Sequence, residues 1–287
     1  MEAKDTPFST DYTLNFRGKL LSLLHPRVMG ILNITPDSFY AGSRVMDEKA
    51  LLEQASRMLA DGADLLDIGG YSTRPGAAEV SEEEERKRVS WAASLLIREF
   101  PDALISVDTF RASVAKAGVE AGACMINDVG GGTLDAQMFE MVASLQVPYV
   151  LMHMRGTPQT MTGLNQYDDL AKEIIDYFAV TLNKLRQLGV KDIVADPGFG
   201  FAKNIQQNYI LLNRMRLLKA LDVPLLVGIS RKSLIWKSLG ISPEEAGNGT
   251  TVLNTIALDR GASILRVHDV KQTVETVKLW RLTKANA

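Results

Sequence analysis

Arg266 and His268 flank the end of a short apolar run, Ile264–Val267, and a two-residue spacing on a strand sends both side chains to the same side. Two potential cations meeting at one point suit an anion. Ser230-Arg231-Lys232-Ser233 follows another apolar run and opens a helix, whose N-terminal amides favour the same charge. Gly69-Gly70-Tyr71-Ser72-Thr73-Arg74-Pro75-Gly76 is long and glycine-rich with Arg at its centre, and reads as a mobile anion clamp or as a plain surface loop. Carboxylates and amides close the remaining runs: Asn33, Asp108, Asn127-Asp128 and Asp196, with Asp67 inside the second run. Asp108 either partners the start of the helix after Thr109 or faces a ligand. Asp128 either braces the Val129–Gly132 turn or touches a ligand. A carboxylate directly after Ile193-Val194-Ala195 is costly unless something pairs with Asp196. His153 reads as a satisfied strand-end histidine.

What the chain lacks narrows the chemistry further. There is no Gly-x-Ser-x-Gly elbow and no Cys–His pairing for acyl transfer, and Ser230–Ser233 lacks the glycine frame of a Walker A loop. A net charge of −2 leaves no footprint for bulk nucleic-acid or anionic-membrane binding. The single Cys124 and three histidines argue against thiolate clusters and multi-histidine zinc sites. Ser81–Arg88 is a solvated helix start, with a capping box (Ser81, Glu84) and i,i+4 pairs Glu82–Arg86 and Glu83–Lys87. The methionines are scattered core fillers, except Met152, which adjoins the polar ends and could pack on a planar ligand. Such an inventory suits a hydrogen-bonding ring held deep and a phosphate-bearing group nearer the loops.

Eight short apolar runs must position these residues: 28–32, 65–68, 104–107, 124–126, 147–152, 193–195, 225–229 and 264–267. None alternates strictly, as expected of strands covered on both faces. Helix-periodic stretches lie between them, at 47–60, 82–99, 111–120, 135–145, 167–188, 205–220, 243–260 and 270–283. Eight alternating units without a linker predict a single TIM (β/α)8 barrel over 28–287, in which all the polar strand ends share one mouth. An open dinucleotide-binding sheet would carry Gly-x-Gly-x-x-Gly after its first strand, where Asn33-Ile34-Thr35-Pro36-Asp37 stands instead. Residues 1–27 form an N-terminal extension with a β-hairpin turning at Arg17-Gly18-Lys19, expected to cover the barrel's N-terminal end. The N-terminus carries no targeting signal and no segment is long enough to span a membrane, so the expected location is the cytoplasm.

Taken together and in order, these motifs resemble the dihydropteroate synthases, enzymes of the folate pathway. The resemblance runs from Asn15 onward. It is carried by Val28–Phe39, Gly70–Gly76, Ser106–Thr109, Ile126–Asp128, Met152–Pro158, Asp196–Phe201, Ser230–Ser233 and Arg266–Asp269. It implies condensation of 6-hydroxymethyl-7,8-dihydropterin diphosphate with 4-aminobenzoate, giving 7,8-dihydropteroate and pyrophosphate, in a cytoplasmic homodimer. It assigns Asp108, Asn127, Asp196 and Lys232 to the pterin, with Met152 and Arg266 against the ring faces. Asn33 would ligate Mg2+ on the diphosphate, while Arg266, His268 and the first two loops, including Thr73, hold its oxygens. Thr73, Arg74, Pro75, Phe201, Lys232 and Ser233 would shape the aminobenzoate pocket. With thiolates excluded and histidines scarce, the implied metal is a hard one on oxygen ligands.

The chain departs from the family pattern at two places. Tyr40-Ala41-Gly42-Ser43 stands where Ser-Asp-Gly-Gly is common, so the first loop lacks its acid at Ala41, and Tyr71 occupies a place often held by Glu. Activity is expected to survive both changes. Two other readings remain: a methyltetrahydrofolate:corrinoid methyltransferase, which has no use for a diphosphate clamp, and a paralogue that binds pterin without turnover.

Overall fold

Alternation within each strand decides which side chains enter the barrel, and the polar residues fall on the inward set. The computed structural model describes residues 11–34, 44–71 and 79–286. The barrel strands are β3 (Arg27–Asn33), β4 (Leu65–Gly69), β5 (Leu104–Asp108), β6 (Met125–Asp128), β7 (Tyr149–Met152), β8 (Ile193–Asp196), β9 (Leu226–Val227) and β10 (Ile264–Val267). All are parallel, in the order β8-β7-β6-β5-β4-β3-β10-β9, and an Ala195–Leu225 bridge joins the two ends. Val28, Leu66, Ile105, Ile126, Leu151 and Leu265 point outward into the core shared with the helices. Their neighbours Met29, Leu65, Met125, Val150, Val194 and Ile264 fill the interior. Two residues further along each strand the same inward column reaches Asp67, Asn127, Met152, Asp196 and Arg266. An apolar floor therefore lies under a polar layer.

Ahead of the barrel, β1 (Thr13–Phe16) and β2 (Lys19–Ser22) pair antiparallel around a two-residue turn. Arg17 and Gly18 sit at φ 53° and 94°, the positive pair a tight hairpin requires, and Asn15 Oδ1 accepts from the Gly18 amide at 2.7 Å. Leu14, Phe16 and Leu23 are buried in one cluster with the barrel floor. The hairpin therefore plugs the N-terminal end, as its alternating pattern predicts.

The helices are α1 (Arg44–Ala60), α2 (Glu82–Glu99), α3 (Ala112–Glu120), α4 (Met138–Leu145), α5 (Leu170–Gln187), α6 (Ile205–Arg214), α7 (Ser233–Leu239), α8 (Gly247–Asp259) and α9 (Val270–Ala285). Differences from the expected spans have local causes. The stretch expected as a helix from 135 starts at Met138, because the Asp135 carboxylate accepts from the Gln137 and Ala112 amides and so caps α3 across a loop. The stretch expected over 205–220 leaves α-geometry at Met215 and ends as 3-10 turns at Leu221, with Asp222 left-handed at φ 50°. The seventh unit holds α7 as well as α8, separated by Gly240 at φ 67°. At the start of α2 the box is half made: Ser81 accepts from the Glu84 amide, but Glu84 turns to Arg88 at 2.9 Å. Of the expected pairs, Glu83–Lys87 forms at 2.6 Å, whereas Glu82 accepts from the Ser113 hydroxyl.

Candidate active site

The C-terminal mouth of the barrel opens into a cavity of about 510 Å3, lined by residues from β3, β5–β8, β10 and the loops after β4, β8 and β9. Asn33, Asp108, Asn127, Met152, Asp196, Phe201, Lys232, Ser233, Arg266 and His268 all reach it. The folded barrel thus brings together every sequence-predicted site residue that lies in the described part. Thr73, Arg74 and Pro75, like Tyr40–Ser43 with Ala41, fall outside the described residues.

Arg266 is the hub of the polar layer. Its Nε donates to Asp67 Oδ2 and its Nη2 to Asp108 Oδ2, both at 2.6 Å, and Asn127 Nδ2 donates to the same Asp67 oxygen at 2.9 Å. Part of the anionic complement expected for Arg266 is thus supplied by the protein itself. Burial works against the Arg266 charge, yet Asp67 and Asp108 outweigh it and drive its pKa further up. Burial pushes the Asp108 carboxyl up to about 7; Arg266 opposes that shift and nearby Asp67 adds to it. The capping alternative for Asp108 falls away, since Asp135 serves the start of α3. Asp67, fully buried, is the anchor of this layer to which the sequence reading assigned no role. Its register opposite Ile31 and Ser106 was the available signal, because it falls on the inward column. Asp67 Oδ1 and Ser106 Oγ have no hydrogen-bond partner among the described residues.

On the opposite side, Asp196 Oδ1 accepts from the Gly198 amide at 2.8 Å, and burial raises its pKa against the pull of Lys232. Lys232 donates to the Phe199 carbonyl and stands 4.7 Å from the centre of the Phe201 ring. Burial brings its pKa down to about 8, against the pull of Asp196. Lys232 is thus a cation that gives up its proton more easily than an exposed lysine. Ser230 Oγ lies 3.1 Å from His268 Nδ1 and accepts from the His268 amide, fixing the ring at the rim. Arg231 sits at φ 54°, makes a two-point ion pair with Asp269 and donates to the Pro243 and Glu244 carbonyls. It bolts the loop after β9 to the end of β10.

Asp128 and His153 resolve toward structure. Asp128 accepts from the Gly130 and Gly132 amides and from Tyr149 Oη, so it braces the glycine turn. His153 is buried beside Lys203, and burial drives its pKa down to about 2, leaving it neutral. Tyr71 packs edge-on to Phe110 with Arg111 over its ring, and accepts from Gln159 Nε2 at 3.4 Å. Arg111 is itself anchored by an ion pair with buried Glu85.

A barrel mouth with carboxylates and an amide deep, cations above and an aromatic wall defines a ring-and-anion site, and comparison with known proteins specifies the ring. The family described as pterin binding enzyme matches residues 29–268. The dihydropteroate synthase of Escherichia coli (strain K12) is 42% identical over 269 residues, which cover 93% of this chain and 95% of that protein. The crystal structure of Yersinia pestis dihydropteroate synthase with a sulfonamide drug complex superposes with a TM-score of 0.89 at 41% identity, covering 96% of this chain and all of that one. The Xanthomonas albilineans dihydropteroate synthase with 4-aminobenzoic acid gives 0.87 at 40% identity, covering 96% and 99%. The chain belongs to the pterin-binding enzymes and, within them, to the dihydropteroate synthase family, transferases of folate biosynthesis.

Proposed function

We propose that the chain condenses 6-hydroxymethyl-7,8-dihydropterin diphosphate with 4-aminobenzoate to give 7,8-dihydropteroate and pyrophosphate. The observation that carries this reading is the inward layer of Asp108, Asn127 and Asp196 with Lys232 and Phe201 at its edge. Asp196, Asp108 and Asn127 meet the donors and acceptors of the pterin edge, and Lys232 adds a further donor. Met152 and the Arg266 guanidinium, itself held flat by two carboxylates, cover the ring faces. Arg266 and His268 face the diphosphate, a role the family resemblance extends to Thr73, outside the described residues. Phe201, Lys232 and Ser233 line the place for 4-aminobenzoate, the ligand of the Xanthomonas relative, and the family resemblance adds Thr73, Arg74 and Pro75, which lie outside the described residues.

The C–O bond to the diphosphate breaks with its electron pair leaving on oxygen, while the dihydropterin ring supports the cationic methylene. The arylamine nitrogen then forms the C–N bond and releases one proton. The protein stabilises departing charge and positions a neutral nucleophile, which is why no triad is needed. Among the described residues no group of three or more His, Cys, Asp or Glu side chains is placed to hold a metal. Asn33 presents an exposed amide oxygen at the rim, a hard donor that fits Mg2+ arriving on the diphosphate. Bound there, Mg2+ would neutralise charge on the leaving group.

No described helix is long and apolar enough to cross a membrane; a cytoplasmic location is part of the proposal. So is a homodimer, supported by Val252 and Ile256 on α8 and Leu279 and Leu282 on α9, four exposed apolar side chains on adjoining helices. Pyrophosphate release measured with and without 4-aminobenzoate and Mg2+ tests the reaction. Release that requires both supports it; tight pterin binding without release would identify a non-catalytic paralogue.

A further inference from the structure

The loop from Asp196, the last residue of β8, to α6 carries Phe201, and its backbone takes a path that needs outside support. Gly198, Gly200 and Ala202 take positive φ in alternation, at 70°, 82° and 49°. Ala202 has a Cβ that disfavours this region, so its conformation persists only where the surroundings over-determine it. Gly198 admits no side chain, because a Cβ there would lie 2.1 Å from the His153 carbonyl oxygen. Several groups grip the loop. Lys232 donates to the Phe199 carbonyl, Tyr167 Oη donates to the Ala202 carbonyl at 3.0 Å, and Asn208 Oδ1 accepts from the Gly200 amide at 2.7 Å.

Lys203 makes the densest set of contacts. Its Nζ donates to the Gly198 and Phe201 carbonyls, each at 3.0 Å, and lies 3.1 Å from His153 Nδ1. Protonated, Lys203 donates to all three partners, and burial lowers its pKa to about 7 against the pull of Asp196. The side chain is 8% exposed and is absent from the cavity lining, so it touches no substrate directly. His153 is kept neutral by burial, which leaves its Nδ1 able to accept. Asp196 is held chiefly by β7–β8 pairing opposite Met152, with the Gly198 amide as a second partner. Phe201 lies beyond the strand, and among the described residues the other hydrogen bond on its backbone is its amide donating to the Gly198 carbonyl at 3.1 Å.

We propose that Lys203 is a positioning residue, tying down the Gly198 and Phe201 carbonyls with His153 as its third partner so that the Phe201 ring forms the aminobenzoate wall. This rests on the reading of Phe201 as part of the 4-aminobenzoate pocket. Because strand pairing still holds Asp196, the effect falls more heavily on 4-aminobenzoate than on the pterin.

The test uses Lys203→Met, which keeps the stem and removes the donors, and Lys203→Gln, which retains two N–H donors. Each is assayed for pyrophosphate release against both substrates, with thermal unfolding alongside. In Lys203→Met the KM for 4-aminobenzoate rises about tenfold, the scale of a lost charge-assisted hydrogen bond, while the KM for the pterin diphosphate stays within about threefold. Lys203→Gln falls between Met and the unsubstituted chain, and decides alone should the Met variant fail to fold. Unchanged KM values, or both rising in parallel with a lowered unfolding temperature, overturn the proposal. The unsubstituted control separates the failures: no turnover there sinks the reaction and this inference together, whereas normal turnover with an even shift sinks this inference alone.

Discussion

Asp67 shows how one buried carboxylate can organise a site it need not touch. Its Oδ2 receives both Arg266 Nε and Asn127 Nδ2, so two proposed pterin contacts share one anchor. Truncating one partner of a buried, hydrogen-bonded charge pair costs about 2–5 kcal/mol, much of it from the charge left unpaired. Asp67→Asn keeps the shape and removes the charge. It is expected to lower kcat/KM for the pterin diphosphate by about 30-fold or more, since each 1.4 kcal/mol is tenfold. Steady-state kinetics on the variant, with far-UV spectra to establish that it folds, check this; activity within threefold of the parent would show that Arg266 needs no such anchor. The sequence named Asp67 as lying in a strand but gave it no role. Its importance depends on a pairing with a residue 199 positions away, which no local pattern encodes. Arg266, by contrast, was legible at a strand end, although its internal partners were not.

At the scale of elements, what the sequence revealed and what it hid follow one line. Strand existence was readable because both-face burial writes a continuous apolar run, and the hairpin because Leu14 and Phe16 alternate with polar neighbours. Helix ends were less readable where a side chain from elsewhere intervened, as with Asp135 serving α3 rather than prolonging α4. The extra α7 was hidden in the same way: Ser230–Ser233 announced a helix start, but Gly240 was needed to end it. The hairpin plug yields a prediction of its own. Phe16 is 3% exposed against the barrel floor, well away from the mouth, and Phe→Ala at such a site costs about 3–5 kcal/mol. Phe16→Ala should lower the midpoint of chemical denaturation accordingly while leaving kcat/KM per folded molecule unchanged. Loss of activity in the fully folded variant would mean that the plug also shapes the mouth.

For the whole molecule, a net charge near zero conceals a mouth where opposite charges are crowded, and that crowding sets the working pH. Burial raises Asp108 to about 7 and lowers Lys232 to about 8, so each moves toward neutrality from its own side. Below about pH 7 Asp108 takes up a proton and loses its charge as an acceptor for the pterin and a partner for Arg266. Above about pH 8 Lys232 releases its proton and can no longer act as a cation at the Phe201 wall. The expected profile of kcat/KM for the pterin diphosphate is a narrow bell with its maximum between about pH 7 and 8, reporting the free enzyme. Asp67, Asp128, Glu85, Asp196 and Arg266 all act on these two groups, so the limbs belong to the cluster and not to single residues. Lys232→Arg separates the limbs, because a guanidinium stays charged throughout. The variant should lose the alkaline limb and keep the acid one at reduced rate. An alkaline limb unmoved in Lys232→Arg would assign it to another group of the cluster.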